Sequence, residues 1–261
     1  MSARIYRATP ADVGWLAKVT AQVRSYGAAV WRSPDRRALW TSLLFAAASA
    51  VAFARVTEDY LTRDPLARWD LEFARWLALR RSPLGVDLAR IVTDVGSPGV
   101  TVLIGAIVAL VLYRRRELAN AFLVPFVLAG AELLNLLLKV TFHRTRPEVA
   151  SVHLDTYSYP SGHAMIAITG YGVFAYLLWT HRIRRLGQVL LAIALVVFVL
   201  GISFSRLYLG VHYLSDVLGG IAAGAAWLGL AFALRFRYGA AVSDRVETSK
   251  FDRFARRITR N

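Results

Sequence analysis

Apolar residues along this chain fall into long blocks that are separated by polar and charged segments. We interpret six blocks as membrane-spanning helices, because all but the short second block approach the roughly 20 residues that a helix needs to cross a bilayer. The blocks cover residues 38–55, 100–113, 118–139, 163–180, 186–205 and 216–234. The pattern therefore predicts an all-α, polytopic membrane protein, in which a spanning domain of residues 38–234 lies between polar end segments of residues 1–37 and 235–261.

The composition agrees with this interpretation. Hydrophobic residues make up 56% of the chain and the mean hydropathy is +0.45, which is more apolar than a soluble domain of 261 residues would be. The first apolar run follows 37 mostly polar residues, so it does not resemble a cleavable signal peptide. The sequence has no cysteine, which excludes disulfides and thiolate metal sites.

The net charge of +15 raises the question of nucleic-acid binding, but the distribution of charge points to a membrane topology. Across the six predicted spans, 21 Lys and Arg lie on the side of the two termini. The other side has 11, together with ten acidic residues that nearly balance them. Excess Lys and Arg mark the cytoplasmic side of a membrane protein. We therefore expect both termini in the cytoplasm, basic segments that attract anionic lipid, and no nucleic-acid partner.

Two segments outside the spans have helical patterns of their own. In residues 1–37 an apolar stripe at helical spacing predicts a short helix on the inner membrane surface, and an unstructured basic tail is the alternative. The stripe consists of Trp15, Val19, Val23 and Tyr26. The C-terminal tail, residues 235–261, contains Phe251, Phe254 and Ile258, which suggest another surface helix.

Residues 56–99 are expected to lie outside the membrane as an interfacial segment. Tryptophan favours the interface between lipid and water, and the apolar face predicted here is set among charged residues. This face consists of Trp69, Phe73, Trp76 and Leu77, and its polar neighbours are Asp70, Glu72, Arg75 and Arg80. A helix that merely covers the bundle is the alternative. The sequence Gly96-Ser97-Pro98-Gly99 should break the chain before the second span.

Three short motifs stand at the ends of these predicted spans. In pattern form they read K-x6-R-P from Lys139 to Pro147, P-S-G-H from Pro160 to His163, and S-R-x5-H-x3-D from Ser205 to Asp216. The alternation of spans places all three on one membrane face, and the charge bias makes that face the outer one. Together they supply three cations, two histidines, one carboxylate and a small-residue turn, which suit a site that binds and attacks a phosphoryl group.

The first motif ends an apolar helix with Lys139. A lone lysine there is typically one that extends to the interface, but Arg144 and Arg146 nearby favour an anion site. Arginine offers a planar fork of donors that matches phosphate oxygens. Pro147 fixes the turn that follows.

The second motif stands just before an apolar helix. Ser161 and Gly162 form an N-cap with a flexible neighbour, where backbone N–H groups can bind an anion. An ordinary cap is the alternative for this motif taken alone. His163 lies in the first turn, beside any anion that binds there.

The third motif pairs His212 with Asp216, four residues apart, which places both on one face if the segment is helical. A carboxylate bonded to one imidazole nitrogen fixes the tautomer and exposes the other nitrogen as a nucleophile or base. A structural His–Asp pair is the alternative. Arg206 adds another phosphate donor.

A metal site is the rival interpretation of this cluster, since His163, His212 and Asp216 resemble a two-histidine, one-carboxylate set. The cations Lys139, Arg146 and Arg206 argue against it, because they would repel a divalent ion and suit a phosphate dianion. We therefore expect no metal and no other cofactor.

With these motifs the chain resembles the type 2 phosphatidic acid phosphatase superfamily, also called lipid phosphate phosphatases. All signature positions are present, and the flanks "DTYSYPSGHA" and "SRLYLGVHYLSD" are similar to family members as well. The motif core covers about 80 residues, and the six-span layout extends the likeness to most of the chain except residues 1–37 and the tail.

The resemblance implies a metal-independent phosphatase that works through a phosphohistidine. It implies that His212 is the nucleophile, that Asp216 orients it, and that His163 protonates the leaving group. The implied phosphate ligands are Lys139, Arg146, Ser161, Gly162 and Arg206. Outward-facing bacterial members process polyprenyl diphosphates, phosphatidylglycerol phosphate or phosphatidic acid, so a lipid phosphate is the expected substrate.

Three functions fit the sequence. The first is hydrolysis of a phosphomonoester or diphosphate from a membrane lipid at the outer leaflet. The second is transfer of the phosphoryl group to another lipid or sugar through the same phosphohistidine. The third is binding or transport of a lipid phosphate without catalysis, against which the complete set of His163, His212 and Asp216 argues.

Overall fold

The computed structural model describes residues 34–62, 65–152, 154–180 and 184–258, with side chains of the last helix as far as Tyr238. Within these ranges the chain forms eight helices and no strand, which confirms the predicted all-α class. The helices are α1 (Pro34–Thr62), α2 (Pro65–Ala78), α3 (Pro83–Val95), α4 (Pro98–Arg114), α5 (Leu118–Phe142), α6 (Gly162–Thr180), α7 (Arg185–Tyr208) and α8 (Leu214–Ile258).

Six stretches of these helices are long and apolar enough to cross a membrane, as the sequence predicts. They are Asp35–Thr62, Pro83–Arg114, Leu118–Phe142, Gly162–Thr180, Arg185–Tyr208 and Leu214–Tyr238. The second stretch differs from the prediction, because it joins α3 to α4. Residues 83–95, which were expected outside the membrane, carry exposed apolar side chains at Leu84, Leu88 and Ile91.

Local sequence explains where the early helices begin. The first four all start at a proline, whose fixed φ suits the first helical position and whose missing N–H would have no partner there. The hydroxyls of Ser82 and Ser97 accept hydrogen bonds from the backbone N–H groups of Gly85 and Val100, which caps α3 and α4. The predicted break at Gly96 and Ser97 is confirmed as the junction between these two helices.

The ends of the chain correct two expectations. The last span and the tail form one continuous helix, so the separate surface helix predicted for the tail is wrong. No proline follows Leu214 to interrupt it. At the other end α1 begins at Pro34 rather than residue 38, and the predicted surface helix at residues 15–26 lies outside the described residues.

The core lies between α5, α6 and α8. Side chains that are almost fully buried there include Val124, Val127, Met165, Ile166 and Val173. Apolar side chains on the outer faces of the bundle are exposed, as lipid contact requires; among them are Leu44, Leu103, Ile107, Phe122, Leu133, Ile193 and Val197.

Helix α2 differs from its sequence interpretation. Leu77 is buried against Ala164, Leu207 and Val217, whereas Trp69 and Trp76 are 64% and 48% exposed. Asp70, which was expected among the polar neighbours of the apolar face, is only 1% exposed. It turns inward because its carboxylate has buried polar partners, which are described with the site below.

The fold brings the motif segments together at one end of the bundle. Helix α5 ends and α6 begins there, with the loop of residues 143–161 between them, and α7 ends where α8 begins. His143 closes α5 in the left-handed conformation, at φ 47°, which turns the chain inward before Arg144. Gly210, at φ +70°, turns the chain between α7 and α8.

Candidate active site

The histidine and aspartate of the third motif are in contact, but not because they share a helix. Helix α8 begins at Leu214, so His212 precedes it and Asp216 lies in its first turn. The Oδ2 atom of Asp216 accepts a hydrogen bond from the backbone N–H of Tyr213, at 2.9 Å, and lies 3.3 Å from Nδ1 of His212. The carboxylate therefore caps the helix and holds the imidazole with the same oxygen.

The other imidazole nitrogen of His212 faces the cations. Its Nε2 atom lies 3.4 Å from Nη1 of Arg146. Burial lowers the pKa of His212 to about 4, and Arg206 and Arg146 add to this although Asp216 opposes it. The imidazole is therefore neutral near pH 7, donates from Nδ1 to the carboxylate, and presents a lone pair on Nε2.

Arg146 is fixed by the loop around it. Its Nε donates to the carbonyl of Thr156 at 2.7 Å, Nη2 donates to the Thr156 hydroxyl at 2.8 Å, and Nη1 donates to the carbonyl of Val211 at 2.7 Å. Burial lowers the pKa of Arg146, but an arginine remains charged at physiological pH. The guanidinium is thus held in one orientation beside His212.

The other two predicted cations also reach this end of the bundle. Lys139, in the last turn of α5, donates from Nζ to the carbonyl of Tyr157. Arg206, in the last turn of α7, is 6% exposed and donates from Nη1 to the Thr93 hydroxyl at 2.7 Å. Its Nε is buried and has no hydrogen-bond partner among the described residues, so it retains a donor for a ligand.

Ser161 occupies the predicted N-cap position of α6, but its hydroxyl does not cap the helix. The side chain is fully buried and Oγ has no hydrogen-bond partner among the residues that the structure describes. Its backbone N–H donates to the carbonyl of Asp216 at 2.9 Å, which ties the second motif to the third. The hydroxyl therefore does not act as an ordinary N-cap, and a buried hydroxyl without a partner is costly.

Gly162 follows at the first position of α6, where space is limited. A Cβ atom at this position would lie 2.9 Å from Oδ1 of Asn135, whose amide group donates to the carbonyl of Pro160 at 3.3 Å. A larger residue would displace the turn of the second motif from α5. Glycine therefore keeps the start of α6 close to Asn135.

His163 lies in the first turn of α6, as predicted. It makes no hydrogen bond within the described part of the chain, and it lies within electrostatic reach of His212 and of three cations. Those cations are Lys139, Arg146 and Arg206. All three motifs thus contribute to one cluster.

The motifs omit part of this cluster. Arg144 is buried, and it donates from Nη1 to Oδ1 of Asp216 at 2.6 Å and from Nη2 to Oδ2 of Asp70 at 2.8 Å. Ser215 contacts both Arg144 and Asp70 through its hydroxyl. The position of Arg144, two residues before Arg146, was the only sequence signal for this network; no pattern marks Asp70 or Ser215.

The donor set does not favour a metal. Among the described residues, no group of three His, Asp or Glu side chains is placed to hold one ion. The cluster instead combines fixed cations, unpaired buried donors and one carboxylate, which suits an oxyanion such as phosphate.

Comparisons with known proteins show which family and which proteins the chain is similar to. The family model of the PAP2 superfamily matches residues 120–240, which contain all eight predicted site residues. Phosphatidylglycerophosphatase B of Bacillus subtilis (strain 168) is 33% identical over 158 residues, covering 59% of this chain and 77% of that protein. A protein of Escherichia coli (strain K12) provisionally named undecaprenyl-diphosphatase YbjG is 37% identical over 89 residues, or 32% of this chain and 40% of that one.

A solved structure is similar over most of the fold. The crystal structure of a transmembrane PAP2-type phosphatidylglycerolphosphate phosphatase from Bacillus subtilis superposes with a TM-score of 0.67 at 28% identity. The match covers 72% of this chain and 94% of the other. With six apolar helical stretches of spanning length among the described residues, this is a multi-pass membrane protein. The sequence identity to its relatives shows that it belongs to the PAP2 superfamily.

Proposed function

We propose that this protein hydrolyses a phosphomonoester or diphosphate from a membrane lipid through a phosphohistidine at His212. The observation that carries the proposal is the orientation of His212. Its Nδ1 is bonded to Asp216, while Nε2 faces the guanidinium of Arg146, where a phosphoryl group would bind. A neutral, positioned imidazole beside an anion site is the arrangement that covalent phosphoryl transfer requires.

In the first step the lone pair on Nε2 of His212 attacks phosphorus. A P–N bond forms, the P–O bond to the lipid or diphosphate leaving group breaks, and the leaving oxygen takes a proton from His163. The imidazole of His212 becomes cationic, and Asp216 stabilises that charge through Nδ1–H.

In the second step water attacks the phosphohistidine. His163 accepts a proton from the water, the P–N bond breaks, and inorganic phosphate leaves with His212 neutral again. The same histidine thus acts as acid in the first step and as base in the second.

We assign the phosphoryl oxygens to Lys139, Arg146, Arg206, Ser161 and Gly162. The unpaired Nε of Arg206 and the unpaired Oγ of Ser161 support this assignment, because both are buried donors that a phosphate oxygen would satisfy. The backbone at the start of α6 offers further N–H groups to the same anion. No step requires a metal.

The lipid nature of the substrate follows from the membrane setting and from the relatives. A site at the ends of four spans lies within reach of lipid headgroups, and the names of the two matched proteins refer to lipid phosphates. We propose polyprenyl diphosphate, phosphatidic acid and phosphatidylglycerol phosphate as the substrates to test.

The purified protein should release inorganic phosphate from at least one of these three lipids in the presence of EDTA. Orthovanadate should inhibit, because its trigonal bipyramidal form resembles the transition state that the cations stabilise. The measurement is a phosphate-release assay in detergent, repeated with added divalent ions.

Three results of that assay would contradict the proposal. Activity that disappears in EDTA and returns with one divalent ion would mean that a metal takes part. Loss of substrate with a phosphorylated lipid or sugar as product, and no free phosphate, would identify a phosphotransferase. No release from any of the lipids would support a binding or transport role.

We further propose that the site faces the outside of the cell and that both termini are cytoplasmic. The support is the excess of Lys and Arg on the side of the termini, which marks the cytoplasmic face. Outward-facing chemistry would restrict the substrates to lipids of the outer leaflet.

Single cysteines test this orientation cleanly, since the chain has none. Ser151→Cys, in the exposed loop on the site side, should react with a membrane-impermeant maleimide in intact cells. Ser249→Cys, in the tail, should react only after the cells are permeabilised. The reverse labelling pattern would place the site in the cytoplasm.

A further inference from the structure

Helix α2 carries a buried carboxylate that no motif includes. Asp70 is 1% exposed, although Trp69 beside it is 64% exposed. Its Oδ2 accepts from Nη2 of Arg144 at 2.8 Å, and its Oδ1 accepts from the backbone N–H of Ser215 at 2.9 Å. The Ser215 hydroxyl also bonds to Oδ2. Asp70 therefore joins α2 to the loop after α5 and to the first turn of α8.

Arg144 connects Asp70 to the carboxylate that orients His212. While one terminal nitrogen of Arg144 bonds to Asp70, the other bonds to Oδ1 of Asp216 at 2.6 Å, opposite the oxygen that faces His212. The four groups form one continuous chain of contacts: Asp70, Arg144, Asp216 and His212.

The guanidinium of Arg144 has little freedom to move. Its central carbon, Cζ, lies 4.4 Å from the ring centroid of Tyr60 and 4.2 Å from that of Tyr213. The guanidinium is therefore in contact with two aromatic rings in addition to the two carboxylates. Burial by itself would lower the pKa of Arg144, but Asp216 and Asp70 outweigh it and raise the pKa above the ordinary value. The charge of Arg144 is thus firmly retained and is shared between two carboxylates.

We propose that Asp70 is a positioning residue for the phosphohistidine reaction and acts through Arg144 on Asp216. This inference rests on the proposed function of the site. Without Asp70, the positive charge of Arg144 would neutralise the negative charge of Asp216. Asp216 would then stabilise a cationic His212 poorly. With Asp70 present, the three charges sum to one negative charge, which remains available to the imidazole.

Asp70 has a second effect on geometry. Its bond to the backbone N–H of Ser215 fixes the first turn of α8, in which Asp216 is the next residue. Helix α2 is therefore a part of the reaction site rather than a cover for the bundle.

Asp70→Asn removes the negative charge and keeps an oxygen that can accept from Ser215. We expect kcat for lipid phosphate release to fall about 10- to 100-fold, the range that loss of one charge-assisted hydrogen bond produces. KM should stay within about twofold, because Asp70 does not belong to the phosphate-binding set. Glu72→Gln is the matched control: it removes one carboxylate from the exposed side of the same helix and should leave kcat unchanged.

A double-mutant cycle separates this role from simple stabilisation. If Asp70 acts through Arg144, adding Asp70→Asn to an Arg144→Gln variant should lower kcat by less than about twofold. Equal losses in the two backgrounds, a rise in KM in place of a fall in kcat, or wild-type kcat in Asp70→Asn would each overturn the inference.

Asp70→Glu keeps the charge and carries the test if Asp70→Asn is not recovered as folded protein. Its kcat should lie within about fivefold of wild type, and a loss as large as that expected for Asp70→Asn would overturn the inference. If the wild-type protein itself releases no phosphate from lipids, the proposed function fails; if only the Asp70 results differ from expectation, the inference fails and the proposed function stands.

Discussion

His212→Ala should lower kcat for lipid phosphate hydrolysis by at least about 10³-fold, because it removes the Nε2 atom that faces Arg146 and is the proposed nucleophile. The loss should be the same for every leaving group, since all of them depend on the covalent intermediate. The measurement is phosphate release by the purified variant, with gel filtration to show that it remains folded.

Two companion variants make this result specific. Asp216→Asn should retain a weak residual rate, because the imidazole remains while its orientation and charge stabilisation are lost. His143→Asn should stay within about threefold of wild type, since His143 is an exposed histidine outside the phosphate cluster and asparagine tolerates its left-handed backbone. A His212→Ala enzyme that hydrolyses lipid phosphate near the wild-type rate would exclude His212 as nucleophile.

His163→Asn should impair hydrolysis of an alkyl phosphate lipid about 10²- to 10⁴-fold, the contribution typical of a general acid. A lipid alkoxide is a poor leaving group and needs a proton in the transition state. Nitrophenolate leaves readily without one, so hydrolysis of a nitrophenyl phosphate should be affected far less. The measurement is the ratio of kcat/KM for the two substrates in wild type and variant.

Equal losses on the two substrates would contradict the role of His163 as acid. In that case His163 would bind phosphate or position the start of α6, and another group or water would protonate the leaving oxygen. His212→Ala serves as the matched comparison, because it should reduce both rates alike.

The spans and the location of the site were predictable because each depends on local pattern. Runs of apolar residues determine where helices cross a membrane, and alternation of the spans determines which loops share a face. The break before α4 was predictable for the same reason, since Gly96 and Ser97 interrupt a helix locally. These features need no knowledge of what each helix contacts.

The buried network was not predictable because its partners are distant in sequence. Asp70 and Arg144 are 74 residues apart, and Asp70 stands in a helix whose alternation of apolar and charged residues placed it on the polar side. Only the packed structure shows that α2 turns this carboxylate inward and leaves Trp69 exposed. A buried ion pair leaves no periodic signal in either of the two sequence segments that form it.

The contact between His212 and Asp216 was predicted for the wrong physical reason. Spacing of four residues suggested one face of a helix, whereas Gly210 turns the chain and α8 begins only at Leu214. The pair meets because Asp216 reaches back to the backbone N–H of Tyr213 and so lies beside the preceding imidazole. The capping interaction could not be distinguished from a helical pair by spacing alone.

In the proposed reaction a phosphoryl group passes from a lipid to Nε2 of His212, and trapping of that phosphohistidine tests the reaction most directly. Wild-type protein mixed with lipid that carries ³²P in its phosphate should be quenched in alkali, digested and mapped by mass spectrometry. We predict one labelled peptide that contains His212, with label that is stable in alkali, labile in acid and missing in His212→Ala. Label on another residue, or rapid turnover of the lipid with no labelled protein at any quench time, would contradict the account.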